Sequence, residues 1–370
     1  MEVEKKFKMA METISWAVGF VDTVAVHASS VYDSGRLFAD GIGDVSVLDE
    51  SEEVIRRACL GLSGIPYLTN LVWEDRPATS KVNGAYTVEE ATFDAPFPHF
   101  LPKECHRAHF QLVRPTKGPV KGVVIHFQMT GDETFDFRRD AIANRLVDSQ
   151  TASILVMIPM YGSRRPPGQE RFLIRTVSEF FQASIVAMFE GAMLVSWARK
   201  QFPAASVCIT GISAGAVPAT GAALLTKEPV ALVPCIAPCS GRPFIFGALA
   251  AWIDWKNIAK SIGAKNIAQA QLYMVELFAR KHIRKMVEWR KESKQALTLV
   301  TMSIAAMHDR CVHPVESQEL HDMLAEISTH SEMAWMPGGH ILAIRQSGTR
   351  FAPIIQRAVD VMNTSEALSS

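Results

Sequence analysis

The sequence predicts an α/β chain with a mostly parallel central sheet flanked by helices, and three observations point there. Short apolar runs of strand length recur at Gly122–Phe127, Ile154–Ile158, Ala205–Thr210, Val230–Ile236 and Leu297–Ile304, with helical patterning between several of them. Within one such crossover, Val177–Lys200, residues Phe180, Phe181, Ile185, Met188 and Val195 recur at helical spacing, which suits packing on a sheet rather than a cofactor box. A composition of 48% hydrophobic and 21% charged over 370 residues is enough for one sizeable core.

The elements follow in order. Residues 1–95 alternate helical patterning with turn clusters at Asp40–Asp44 and Gly61–Pro66, then reach the breaker-rich Phe93–Pro98; they are expected to form an N-terminal helical extension packed on the core. Met1–Lys8 is too acidic for a mitochondrial presequence, and no apolar core follows a basic start as a secretory signal requires. Ile14–Ala28 is apolar but carries Asp22 and His27 and falls short of a bilayer span, so a helix packed on the body is expected. The core should occupy 96–237 and 296–365, with its sheet beginning at Cys105. After Ile236 the pattern breaks at Pro238 and sheet character returns near Leu297; residues 238–295 are expected to be a helical cap or lid insertion. There is no internal repeat and no low-complexity tract.

The chemistry is concentrated at Ile209–Ala216, where Ser213 stands between Gly211 and Gly215, directly after a strand-like run and before the small-residue helix start Val217–Leu225. This is the spelling of the nucleophile elbow of α/β hydrolases: a serine on a strained strand-to-helix turn, with glycines where neighbouring backbones must come close. Five residues are a cheap pattern, so the partners decide. The expected chain order is serine, then acid, then histidine. Asp309 lies in the loop after Leu297–Ile304, and His340 follows Met333–Met336 on the turn Pro337–Gly339. A serine hydroxyl becomes nucleophilic when an imidazole takes its proton, and the imidazole needs a carboxylate to fix its tautomer. The plainer readings are a solvated loop acid or helix cap for Asp309 and a turn histidine for His340. His308 and His313 share the acid's loop and are expected to decorate it. Asp254 and Asp322 follow no strand-like run and are weaker acids.

An oxyanion hole would use the amide of Ala214 and a second amide from Gln128 or Met129, in the loop after Gly122–Phe127. His126, at that strand's end, is expected to brace the loop by hydrogen bonds. Tyr161 and Arg164 follow the next strand at the carboxyl edge, where ligands bind in open parallel sheets, and are candidate pocket residues; a solvated arginine pair at Arg164–Arg165 is the alternative. Phe244 and Trp252, in the apolar part of the insertion, complete the expected pocket, although a cap helix packed on the body has the same composition.

Thirty-eight basic residues balance thirty-eight acidic ones, so nucleic acid is not implied. The basic run Arg280–Lys285 reads as a solvated helix face, with peripheral contact to an anionic membrane surface or phosphate head group as the other reading. Six cysteines are widely scattered, and several fall in or beside apolar runs, which suits buried thiols in a reducing, intracellular compartment without disulfides. Cys235 and Cys239 have no second pair at zinc spacing, so no metal site is expected, and the chemistry calls for no cofactor.

Several separated segments resemble the α/β-hydrolase domain-containing protein 18 family: His126–Asp132, Pro159–Pro166, Thr210–Gly215, Leu232–Cys235, Ile253–Trp255 and Pro337–His340, together spanning roughly residues 95 to 365. The resemblance implies an α/β-hydrolase fold with Ser213, Asp309 and His340 in triad positions, a lipid-like acyl ester as substrate with phospholipids as the class, and mitochondria as a location. The chain departs from the family pattern at Met129, where a glycine is usual, and at Ala214–Ala216, where Met-Gly-Gly is usual. The expected function is therefore a serine esterase acting through a Ser-His-Asp triad and an acyl-enzyme. The alternatives are an acyltransferase using the same residues and a hydrolase-fold binding or scaffold protein, which the Met129 loop motivates.

Overall fold

The computed structural model describes residues 21–26, 35–74, 85–280, 283–293 and 295–367. Its strands are β1 (Val72–Trp73), β2 (Tyr86–Asp94), β3 (Arg107–Pro115), β4 (Gly122–Phe127), β5 (Thr151–Met157), β6 (Ser206–Ile212), β7 (Val230–Cys235), β8 (Leu299–Ala306) and β9 (His330–Met336). Among the described residues they form one sheet in the order β1-β2-β3-β5-β4-β6-β7-β8-β9. Pairing is antiparallel from β1 through β3 to β5 and parallel everywhere else. The central register stacks Ile125 between Ile154 and Ile209. Strands β4 to β8 are buried on both faces, which is why they read as unbroken apolar runs rather than alternating ones.

Two helices close the faces. Val177–Gln201 covers one, started by a capping box in which the Thr176 hydroxyl accepts from the Glu179 amide at 3.1 Å and the Glu179 carboxylate accepts from the Thr176 amide at 3.0 Å. It is long and apolar enough to cross a membrane, but most of it is buried inside the fold, as befits a core helix. Ser347–Ala367 covers the other face and buries Phe351, Ile355, Val359 and Met362. Each such side chain contributes about 1.5–3 kcal/mol of transfer free energy.

The expected boundaries shift in two places. Strand β5 starts at Thr151, ahead of the predicted Ile154, because the buried hydroxyls of Thr151 and Ser153 find partners: half-buried Gln356 at 2.9 Å for Thr151 and buried His126 at 3.0 Å for Ser153. The segment before residue 95 is not purely helical. Val47–Cys59 is an amphipathic helix burying Leu48, Ile55 and Cys59, yet β2 pairs along its whole length with β3, so the sheet begins well before Cys105. Of the expected helix Ile14–Ala28, residues 21–26 are helical; residues 14–20 and 27–28, like Met1–Lys8, lie outside the described residues.

Between β7 and β8 the chain runs through Arg242–Ile245, Trp255–Ser261, Ile267–Arg280 and Ile283–Glu292, all helical. Phe244 and Phe278 from this segment meet Phe180 and Phe181 of the long helix, with ring centroids 4.9–6.3 Å apart. Two residues of the basic run meet Val47–Cys59: Arg280 pairs with Asp49, and Lys285 with Glu52 at 2.9 Å. All six cysteines are free and buried, and burial pushes each thiol up, Cys105 to about 11.

Candidate active site

Strand β6 ends at Ile212, and the chain turns at Ser213 with φ +55°, the left-handed region that costs a side-chain-bearing residue about 1–2 kcal/mol. Both flanking glycines are required by space. A Cβ on Gly211 would lie 2.2 Å from the Gly215 carbonyl oxygen, and one on Gly215 would lie 2.1 Å from the Gln128 carbonyl oxygen. The tight turn delivers Ser213 to the carboxyl end of the sheet, followed at once by the helix Ala216–Leu225.

The other two groups arrive on the loops after β8 and β9, which are tied to each other. The His308 amide donates to the Gly338 carbonyl at 3.0 Å, and the Met307 amide to the Met336 carbonyl at 2.9 Å. Asp309 Oδ1 accepts from the amides of Cys311 at 2.9 Å and Val312 at 2.7 Å, which orients its second oxygen. That oxygen, Oδ2, lies 2.7 Å from His340 Nδ1, and His340 Nε2 lies 2.9 Å from Ser213 Oγ. With the carboxylate ionised, Nδ1–H donates to it, leaving Nε2 as acceptor for the serine hydroxyl. All three side chains are at least nine-tenths buried. Burial pulls the His340 imidazole down, but the charge and hydrogen bond of Asp309 and the charge of Asp22 outweigh it, so its pKa stands above the ordinary 6.5.

The loop after β4 is held by groups that local patterning did not single out. Arg138 is buried and donates to the carbonyls of His126 at 2.8 Å and Val156 at 2.7 Å, and to Asp132 Oδ2 at 2.7 Å. The Gln128 side chain donates to the Asp132 carbonyl at 3.1 Å and accepts from the Ile158 amide at 2.9 Å. Two of the expected oxyanion residues, Ala214 and Gln128, border a cavity of about 1160 Å³ including its open mouth. Met129 does not; it packs toward the layer under Ser347–Ala367.

The cavity lining is apolar. Tyr161, Phe180, Phe181, Ile185, Phe244 and Phe278 contribute, with Glu52, Arg280 and Lys285 at one side. Tyr161 and Phe244 are thus where the sequence placed them, whereas Arg164 and Trp252 are not. Arg164 is 1% exposed and makes a bidentate pair with Glu190 at 2.7 and 2.8 Å, adding bonds to the carbonyls of Met157 and Cys105. A guanidinium buried among apolar strands needs a carboxylate, and Glu190 on the long helix supplies it. Trp252 packs at a tilt on Phe172, ring centroids 5.2 Å apart, and donates to the Val26 carbonyl, outside the cavity wall.

The remaining candidates are accounted for. His126 binds Ser153 across the strands instead of bracing its loop, and burial lowers its pKa to about 3. His313 caps the helix Pro314–Ala325. Asp254 caps Trp255–Ser261, and Asp322 accepts from Gln318 at 2.8 Å. Asp22 bonds to both loops of the site; its signal in the sequence was only a charge interrupting an apolar stretch.

A family model described as alpha/beta hydrolase domain containing 18 matches residues 36–309, a span that holds Ser213 and Asp309. Solved structures with similar folds include an acetyl xylan esterase from Paenibacillus sp. R4, 14% identical with TM-score 0.54, covering 86% of this chain and 97% of that one. Acetyl xylan esterase 1 from Thermoanaerobacterium sp. JW/SL YS485 is 13% identical with TM-score 0.49, over 87% of this chain and 96% of that one. At 14% identity the likeness to the Paenibacillus enzyme is one of fold alone.

Proposed function

This chain belongs to the alpha/beta hydrolase domain containing 18 family, and we propose that it is a serine esterase acting on carboxylic esters with an apolar acyl group. The observation that carries the reading is the relay Asp309–His340–Ser213, closed at 2.7 and 2.9 Å beside an apolar cavity. Ser213 Oγ attacks the ester carbonyl while His340 Nε2 takes the hydroxyl proton. Asp309 holds the imidazole in the required tautomer and stabilises its cationic form. The oxyanion of the tetrahedral intermediate faces the amides of Ala214 and Gln128. Collapse expels the alcohol, protonated by His340, and leaves an acyl-serine; water, deprotonated by the same imidazole, releases the acid.

The acyl group enters the cavity, whose lining offers few polar groups. A lipid acyl ester, with a phospholipid as the class inherited from the family resemblance, is the substrate we propose. Peripheral contact with a membrane would bring such a substrate to the cavity, whose lining includes Glu52, Arg280 and Lys285. The test is a series of p-nitrophenyl esters of increasing acyl length. Each methylene buried in the cavity is worth about 0.8 kcal/mol, so kcat/KM should rise about fourfold per carbon until the cavity is filled. Ala183→Phe, which adds a ring at the cavity wall, should end that rise earlier while sparing the acetate. Hydrolysis that falls from acetate onward, or no hydrolysis at any length by folded protein, would contradict the proposal.

A further inference from the structure

Asp22 comes from the far amino-terminal side of the chain and is completely buried at the back of the site. Its Oδ2 accepts from the His340 amide at 2.7 Å and from the Arg310 amide at 3.1 Å, while Oδ1 accepts from the Ile341 amide at 2.9 Å. The His340 and Ile341 amides are the first two donors of the helix His340–Arg345, which lack partners inside that helix. The Arg310 amide directly follows Asp309. One carboxylate therefore joins the loop that carries the base to the loop that carries the acid. Approach this close excludes any side chain at the residue before the base: a Cβ on Gly339 would lie 2.4 Å from Asp22 Oδ2.

We infer that Asp22 is a positioning residue of the esterase, fixing the ring of His340 between Ser213 and Asp309 by clamping both loops. The inference rests on the reading of Ser213, His340 and Asp309 as a catalytic triad. Hydrogen bonds from amides to a carboxylate are of the stronger, charge-assisted kind, and these add to the backbone bonds His308–Gly338 and Met307–Met336 that already tie the two loops. Among the described residues, the charged and titratable groups facing His340 are Asp309 and Cys311 from the acid loop and Asp22 itself. Removing the Asp22 charge thus has two consequences. The loops gain freedom, and the imidazolium loses one of its two stabilising anions.

The experiment compares wild type, Asp22→Asn and Asp22→Glu, with active sites counted by a fluorophosphonate probe and rates taken on a p-nitrophenyl ester. Asparagine keeps the shape but must turn its amide group toward one of the three backbone donors. Asp22→Asn should lower kcat per labelled site roughly 10- to 100-fold with little change in KM, the loss expected for a base displaced by a fraction of an ångström to an ångström. Its acid limb of kcat/KM should move to lower pH. Asp22→Glu keeps the charge but misfits by one methylene, so kcat should fall while the acid limb stays near that of wild type. A purely structural role would lower the melting temperature and the number of labelled sites but leave the rate per site and the acid limb unchanged, which overturns the inference. If Asp22→Asn does not fold, Asp22→Glu decides alone: an unchanged rate per site overturns the inference. Wild type that neither labels nor hydrolyses the ester defeats the esterase reading and this inference with it; labelled wild type matched by both variants defeats this inference only.

Discussion

Replacing Arg164 by methionine removes one half of an ion pair that has no access to water. The Glu190 carboxylate is 0% exposed and receives both arms of the guanidinium, at 2.7 and 2.8 Å. The same guanidinium satisfies the Met157 carbonyl at 2.8 Å and the Cys105 carbonyl at 2.7 Å. Arg164→Met therefore strands a buried acid and two buried acceptors at once. Breaking one side of a buried pair costs about 3–5 kcal/mol. A domain is typically stable by about 5–15 kcal/mol, so about a fifth or more of the total is at stake. Urea unfolding followed by tryptophan fluorescence should show a lower midpoint with an unchanged slope, and the melting temperature should drop by roughly 4–6 °C. The double variant Arg164→Met/Glu190→Leu should recover most of the loss, because it replaces the pair with apolar groups instead of orphaning a charge. A loss below about 1 kcal/mol for the single variant, the range of exposed pairs, would refute the reasoning that Arg164 is a structural residue of the core.

Other expectations concern the site. Asp309→Asn keeps an oxygen for the Cys311 and Val312 amides but turns an NH2 group toward His340 Nδ1, which forces the wrong tautomer; kcat should fall about 10⁴-fold with native circular dichroism retained. Since the pKa of His340 is raised above 6.5 and the base must be neutral, wild-type kcat/KM should rise with pH through a value above 6.5. The same raised pKa means that protonated His340 adds stability fully present below pH 6.5 and lost as pH climbs through the folded pKa, which thermal melts across that window would register. Gly215→Ala places a Cβ 2.1 Å from the Gln128 carbonyl oxygen, backbone against backbone, so the loop after β4, proposed to complete the oxyanion hole, must shift; steady-state assays should show about a hundredfold loss of kcat.

What the sequence disclosed follows the range of each interaction. The elbow is local: its strand, glycines and helix lie within a few residues, and Gly211 and Gly215 carry a steric demand readable from spelling alone. Asp309 and His340 were legible because strand ends in a parallel sheet converge on one edge. Strand β2 was not, since Thr87, Glu89, Glu90 and Thr92 blur the apolar pattern of a strand whose charged groups are absorbed by partners such as His109, 3.2 Å from Glu90. Arg164 read as a surface or pocket residue because its partner Glu190 stands on a helix 26 positions away. Asp22 showed locally only as a charge interrupting an apolar stretch, because the amide of His340 lies 318 positions from it along the chain.

The most direct test of the account is covalent labelling of Ser213. Wild-type protein treated with a fluorophosphonate should carry one adduct, located by peptide mass analysis at Ser213, and labelling should vanish in Ser213→Ala and slow by orders of magnitude in His340→Ala. Folded wild-type protein that takes up no label, or an adduct on another residue that persists in Ser213→Ala, would contradict it.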